Sequence, residues 1–156
     1  MAYRLSRNTE ASIVDKITID LAADGWTNIR VEKSFAEAYK GTLACIVINA
    51  TERPIKRKEI GTDAIFNDIN VDIRIFAKND GQRLDLADWM LEKIMPGIVY
   101  YTYIITNGAV SSKVKSGKIN VLKIIKNSKE LTRTEKLEES DRYRHILSLN
   151  CRIALT

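Results

Sequence analysis

The sequence predicts an α+β fold: a single mixed, mainly antiparallel sheet flanked by two helices, with projecting basic loops or a hairpin. Three observations carry that expectation. Ile69, Val71, Ile73 and Ile75 alternate with Asp68, Asn70, Asp72 and Arg74, the pattern of a strand with one buried and one wetter face. The segment 142–155 repeats it, with His145, Leu147, Leu149, Cys151, Ile153 and Leu155 on one side and Ile146, Ser148, Asn150, Arg152 and Ala154 on the other. That makes it the natural partner of the strand at 67–77. After that strand, Leu84, Ala87, Leu91 and Ile94 or Met95 recur at helical spacing. Asn79-Asp80-Gly81 opens this helix, with Asp80 as the expected cap, and Pro96-Gly97 stops it.

The other elements follow in order. Ile13, Ile17 and Leu21, with Val14 and Ala22 beside them, predict a helix over 6–23, capped by Ser6 or Asn8 and stopped by Asp24-Gly25. Trp26 is expected to close over its end. Residues 28–33 form a short strand with Ile29 and Val31 on one face. Residues 34–41 read as a helical turn or an irregular link. Residues 42–50, TLACIVINA, are apolar on both faces and belong in the middle of a sheet or at a subunit contact. Pro54 cannot donate to a sheet ladder, so 51–63 is a loop, an edge or a projecting hairpin. Residues 98–105, IVYYTYII, have the β-branched and aromatic content of a strand, Asn107-Gly108 signals a turn, and 118–125 is a further strand. The polar stretch 127–140 is a long loop suited to being a mobile arm or a segment ordered by a partner.

A chain of 156 residues has the length of one domain, 1–156, and its apolar fraction of 45% is ordinary for a globular protein. No apolar run approaches the roughly 20 residues that span a bilayer, and the basic N-terminus is followed by no continuous apolar stretch of the signal-peptide kind. Cys45 and Cys151 both fall in strands and read as buried free thiols, which suits a reducing compartment.

The net charge is +5 and is unevenly placed. From Ser111 to Arg133 there are seven basic residues (Lys113, Lys115, Lys118, Lys123, Lys126, Lys129 and Arg133) against the single acid Glu130. Arg53, Lys56, Arg57 and Lys58 form a second cluster, opposed by Glu52 and Glu59. Such a field can hold phosphate or an acidic protein, and equally it can keep a solvated hairpin from pairing at its edge. The candidate contact residues are therefore Arg53, Lys56, Arg57 and Lys58 in one patch, and Lys113, Lys115 and Lys118 in the other.

No catalytic pattern accompanies them: the chain has no phosphate-binding glycine loop, no HExxH, no CxxC and no nucleophile elbow. The nearest acidic constellation is Asp63, Asp68 and Asp72 with Lys78 downstream. Asp72 and Lys78 would stand roughly 20 Å apart along an extended strand, too far for one metal and its water. The single histidine, His145, begins an apolar strand face and reads as a packing or hydrogen-bonding residue. No enzyme activity, cofactor or metal is expected. Tyr100, Tyr101 and Tyr103 beside lysines would suit base stacking only if exposed, and aromatics in a strand more often pack.

With the elements in place, the chain resembles the tail terminator (tail completion, or tail-to-head joining) proteins of long-tailed bacteriophages. The resemblance lies in the N-terminal helix around ASIVDKITIDLAADG, the strand and helix INVDIRIFAKNDGQRLDLADWMLEKI, and the final strand DRYRHILSLNCRIAL. It implies a non-enzymatic structural virion protein, a homo-oligomeric ring of typically six subunits that caps the tail tube at the neck. The implied partners are the tail tube protein and a head-completion or connector protein, with DNA passing through. The implied location is the virion tail or neck, after assembly in the host cytoplasm, with no membrane role. The alternative is a nucleic-acid-binding accessory protein using the basic segment Lys113–Arg133, and a more distant one is a divergent metal-dependent nuclease.

Overall fold

The computed structural model describes residues 4–33, 42–128 and 144–156, without the side chains of 126–128. The link at 34–41, and Lys129, Arg133 and most of the loop read at 127–140, lie outside the described residues. The elements are α1 (Leu5–Ala23), β1 (Arg30–Glu32), β2 (Cys45–Ala50), β3 (Asp68–Phe76), α2 (Asp80–Ile94), β4 (Ile98–Thr106), β5 (Ala109–Ser128) and β6 (Arg144–Leu155).

The six strands form one sheet in the order β1-β2-β3-β6-β5-β4. β1 is parallel to β2 and every other pairing is antiparallel. The two long amphipathic strands lie side by side at the centre, with Val71 opposite Leu149 and Ile73 opposite Leu147, because only that pairing puts both apolar sets on one face. Both helices cover this face. Ile13, Ile17 and Leu21 of α1 and Leu86, Ala87, Met90 and Ile94 of α2 join the strand residues in one continuous buried cluster. α2 lies over β3 and β6, whereas α1 touches β1, β2 and β4, so the sheet curls around it.

The cap residues differ from expectation. α1 starts at Arg4, whose backbone is left-handed (φ 61°), with no side-chain cap from Ser6 or Asn8. α2 is capped one residue earlier than Asp80. The Asn79 side chain accepts from the Gln82 N–H at 2.8 Å, while the Gln82 side chain accepts from the Lys78 N–H at 2.8 Å. This reciprocal exchange satisfies two free amides at once. Asp80 instead pairs with Arg83 at 2.7 Å. The buried stripe of α2 is also rotated from the expected one: Leu84 and Met95 are exposed, and Leu86 and Met90 take their places.

At the far end of α1, Gly25 takes the left-handed position (φ 77°) that stops the helix. Trp26 folds back to donate its N–H to the Leu21 carbonyl at 3.0 Å and meets Trp89 of α2 edge-on, with centroids 6.2 Å apart. Asp24 ties the two helices together by accepting from Trp89 Nε1 at 2.7 Å and Lys93 Nζ at 2.8 Å. Those bonds, the lysine's first, hold its carboxyl below the usual range.

β2 is internal, between β1 and β3, and buried on both faces: Ile46 and Ile48 join the main core, and Cys45 and Val47 pack with Phe76 on the opposite side. Of the two readings for this strand, the middle of the sheet is the one adopted, and its side chains are covered within the chain. The two cysteines are free, and they lie on opposite faces of the sheet. Burial pushes the Cys151 thiol up to about 12 and raises that of Cys45.

β5 is longer than the predicted 118–125 strand. Its 20 residues also take in the first part of the basic stretch, for which the sequence suggests a solvated hairpin without fixing the strand. Gly117 to Ser128 pair with β6, while Ala109 to Ile119 pair with β4, joined by a tight turn with positive φ at Asn107 and Gly108.

β4 is an edge strand, and α1 lies along it. The Tyr101 N–H donates to Ser12 Oγ at 3.0 Å and the Tyr103 N–H to Asn8 Oδ1 at 3.4 Å. Asn8 Nδ2 in turn donates to the Tyr100 hydroxyl at 3.2 Å, and Ser12 Oγ to the Asn8 carbonyl at 2.7 Å. Helix side chains here do what a further strand would do, and so close the edge to pairing. Truncating Asn8 leaves a buried amide and a buried phenol unpaired. Asn8→Ala should cost about 2 kcal/mol and Ser12→Ala about 1 kcal/mol. Hydrogen exchange should speed up at the Tyr103 and Tyr101 amides respectively, a change a general loss of stability would not confine to them.

Candidate functional site: the basic end of the sheet

The two predicted basic patches come together at one end of the sheet. β3 begins, β6 ends and the β4–β5 hairpin turns at this same end, as the strand registers require. The first patch rides on a hairpin that extends β2 and β3. Arg57 bridges to Ile65, the Lys58 N–H donates to the Ala64 carbonyl at 2.8 Å, and the Phe66 N–H donates to the Lys56 carbonyl at 2.9 Å. Of the readings open for 51–63, the projecting hairpin is the one adopted. Lys56, Arg57 and Lys58 are exposed on it, as are Ile55 and Ile60. Arg53 is different: it is partly buried, and its Nε and Nη2 have no hydrogen-bond partner.

The second patch rides on the β4–β5 ribbon, which runs on past the end of β6, since the last β6 pairing is Leu155 with Gly117. Lys115 and Lys118 are exposed. Lys113 is exposed too but engaged: its ammonium lies 3.1 Å from Asp15 and 4.6 Å above the Tyr101 ring. Ile104, Val110 and Val114 are exposed along the same ribbon. Both projections therefore carry the same mixture, bare aliphatic side chains between lysines and arginines.

Between the fingers, Asp68 is buried, 2% exposed, and takes a two-pronged bond from Arg152 at 2.7 and 3.0 Å. The guanidinium also stacks 3.9 Å from the Phe66 ring centre, with Lys58 5.8 Å from it. This joins the base of the first hairpin to the end of β6. The Arg152 bonds hold the Asp68 carboxyl below the usual range, and Lys56 adds to the effect. The rest of this sheet face is a polar ladder. Asn150 Nδ2 donates to Asn70 Oδ1 at 2.8 Å and Asp72 sits 3.7 Å from Arg74. A cleft of about 290 Å³ beside it is lined by Thr51, Asn70, Asp72, Lys123 and Ser148 among others.

Two of the three aspartates of the nuclease reading, Asp68 and Asp72, thus pair with arginines, and the described residues hold no group of three His, Cys, Asp or Glu side chains placed to bind a metal. The tyrosines offer no stacking platform. Tyr100 and Tyr103 are buried, Tyr103 donates to Asp15 Oδ2 at 2.6 Å, and half-buried Tyr101 sits edge-on to Tyr103 at 6.5 Å. His145 is buried on the helix-covered face, where Arg83 Nη1 lies 3.4 Å from its Nδ1. No described helix is long and apolar enough to cross a membrane. The roles of Arg152 and Phe66 are not legible from their local sequence; only the register of β3 on β6 brings Arg152 to Asp68.

No family model matches the chain, and no curated protein matches it. Among solved structures, it is similar to a chain from the virion of a native gene transfer agent (GTA) particle. The TM-score is 0.51 at 14% sequence identity, with 99% of this chain and 98% of that one covered. At that identity the likeness is one of fold, and it runs the length of both chains.

Proposed function

We propose that the protein is a structural virion component that forms a ring at the tail-to-head junction, the tail terminator role. The observation that carries the reading is the end-to-end fold likeness to a chain of a virion particle. The architecture suits it. A curled sheet braced on one face by two helices makes a stiff wall, and two hairpins project from one end of it to meet a neighbour. Mixed apolar and basic fingers match an acidic, partly apolar protein surface, with the tail tube protein and the connector as the expected partners. Ring formation needs two different surfaces on each subunit, one for each neighbour.

Virions assembled without this protein supply the test. Electron microscopy should show overlong tails or tails separated from heads, with capsids and tubes otherwise formed. Normal tails joined to filled heads would contradict the proposal. DNA affinity that falls steeply with salt, and is lost when Lys115 and Lys118 are neutralised, would favour the nucleic-acid reading instead.

A further inference from the structure

α1 closes one edge of the β4–β5 ribbon, that of β4, and leaves the other open. The Tyr101 and Tyr103 N–H groups point to α1. Each tyrosine faces a lysine in register, Tyr101 with Lys115 and Tyr103 with Lys113. In an antiparallel ladder, facing residues either exchange both backbone bonds or turn their N–H and C=O groups away from each other. The tyrosines point away, so the lysines do too. Lys113 and Lys115 therefore turn four backbone groups toward the β6 side of the ribbon. Pairing with β6 stops at Gly117 and Leu155, and the neighbouring Ser116 carbonyl accepts from the Thr156 N–H at 2.9 Å. Among the described residues, no strand continues along Lys113 and Lys115.

The two faces of this open edge differ. Facing residues of a ladder share a face. Lys113 and Lys115 lie on the face of Tyr101 and Tyr103, and the Lys113 ammonium sits 4.6 Å above the Tyr101 ring. Val114 lies on the other face with Thr102 and Ile104, and Val114 and Ile104 are 54% and 46% exposed. From Ala109 to Ile119 there are three lysines and no acid.

We infer that this edge receives an extended segment of a neighbouring protein, added as a strand along Lys113 and Lys115. Its side chains alternate, carboxylates on the lysine face and aliphatic groups on the Val114 face. The inference rests on the virion reading only for the source of the segment, a partner in the particle. A second copy using the same edge would lay lysine beside lysine, and like charges side by side oppose pairing. An acidic strand turns that repulsion into attraction. The four backbone groups supply the ladder bonds, and the side chains on either face supply the choice of partner.

The probe is a blocked peptide of alternating glutamate and valine, about seven residues long to match 109–115. Hydrogen exchange of the full chain is read by NMR, amide by amide, with and without the peptide, and circular dichroism confirms that each variant is folded. With the peptide at roughly ten times its dissociation constant, exchange at Lys113 and Lys115 should slow roughly tenfold. The Val114 amide, which faces β4, should not change. High salt should weaken binding, and a lysine–valine peptide should give no protection. Lys113→Pro removes an outward N–H and no backbone bond within the sheet, so the chain should fold and the peptide should bind roughly tenfold more weakly. Lys113→Ala keeps that N–H and loses only the ammonium, so it should lose less. The inference is overturned if the lysine–valine peptide protects equally, if Lys113→Pro binds as well as the wild type, or if no soluble concentration of the glutamate–valine peptide protects Lys113. Protection of Lys113 and Lys115 without peptide, rising with protein concentration, would assign the edge to a second copy and also overturn it. None of these results alters the outcome expected for virions lacking the protein, so the two readings fail separately.

Discussion

Gly117→Ala should be the most damaging single-methyl change in the molecule. A Cβ at this position would stand 2.1 Å from the Ala154 carbonyl oxygen and 3.1 Å from the Leu155 Cα. Both atoms are backbone of β6, so no side chain can swing aside. Gly117 is also where β5 stops pairing with β6 and continues only with β4, and the β4 register shifts beside it, between Tyr100 and Tyr101. The added methyl has to push β6 off the sheet at the point where three strands meet. We expect a loss of about 3 kcal/mol or more, as large as severe overpacking produces. Gly81→Ala is the control: the nearest atom to its Cβ is Asn79 Oδ1 at 3.5 Å, an ordinary contact in the first turn of α2. That change should leave stability level or raise it slightly. Urea denaturation of both variants checks the pair, and equal midpoints would refute the argument.

The second large effect is at Asp68. Asp68→Ala removes the carboxylate that takes both Arg152 bonds and leaves the guanidinium held only by its stack on Phe66. The arginine side chain is 36% exposed, so water recovers part of the loss. The expected cost is about 2–3 kcal/mol, toward the low end for breaking a buried pair. The pH dependence has a definite sign. The folded carboxyl titrates below its unfolded value, so its contribution is whole above about pH 4 and disappears as the pH falls through the folded value. The wild type should lose stability on acidification in that window, and Asp68→Asn should lose less. The gap between the two therefore narrows as the pH drops. A gap that widens or stays constant would show that the pair does not bear on stability.

The central ribbons were readable because burial on one side imposes period two. Eight positions of β3, Asp68 through Ile75, and the facing residues of β6 sort by polarity without exception on the β3 side. The helix α2 was readable as a helix but not by face. Leu84, Leu86, Ala87, Met90, Leu91, Ile94 and Met95 cover so much of its circumference that two stripes compete, and only packing on β3 and β6 decides for Leu86 and Met90. Asn8 looks like a capping residue because side-chain oxygens near a helix start usually serve the helix itself, and Ser12 carries no signal at all. Here the neighbouring edge strand offers better-placed amides, a tertiary fact with no local signature. The outer half of β5 was missed for a related reason. The ribbon 109–116 pairs with β4 alone and is wet on both faces, so serine and lysine replace the apolar alternation that marks a strand. In the basic site, the exposed triplet Lys56, Arg57 and Lys58 was visible as charge. Its union with the second patch at one end of the sheet depends on strand registers that no charge count reveals.

Labelled copies of the protein in intact virions give the most direct test of its placement. A chain carrying a small electron-dense tag at the exposed Ile19 of α1, away from both hairpins, imaged in averaged micrographs, should show density as a ring where the tail tube meets the head, with several copies about the tail axis. Tag density distributed over the capsid or along the tail tube, or its absence from purified virions, would contradict the account.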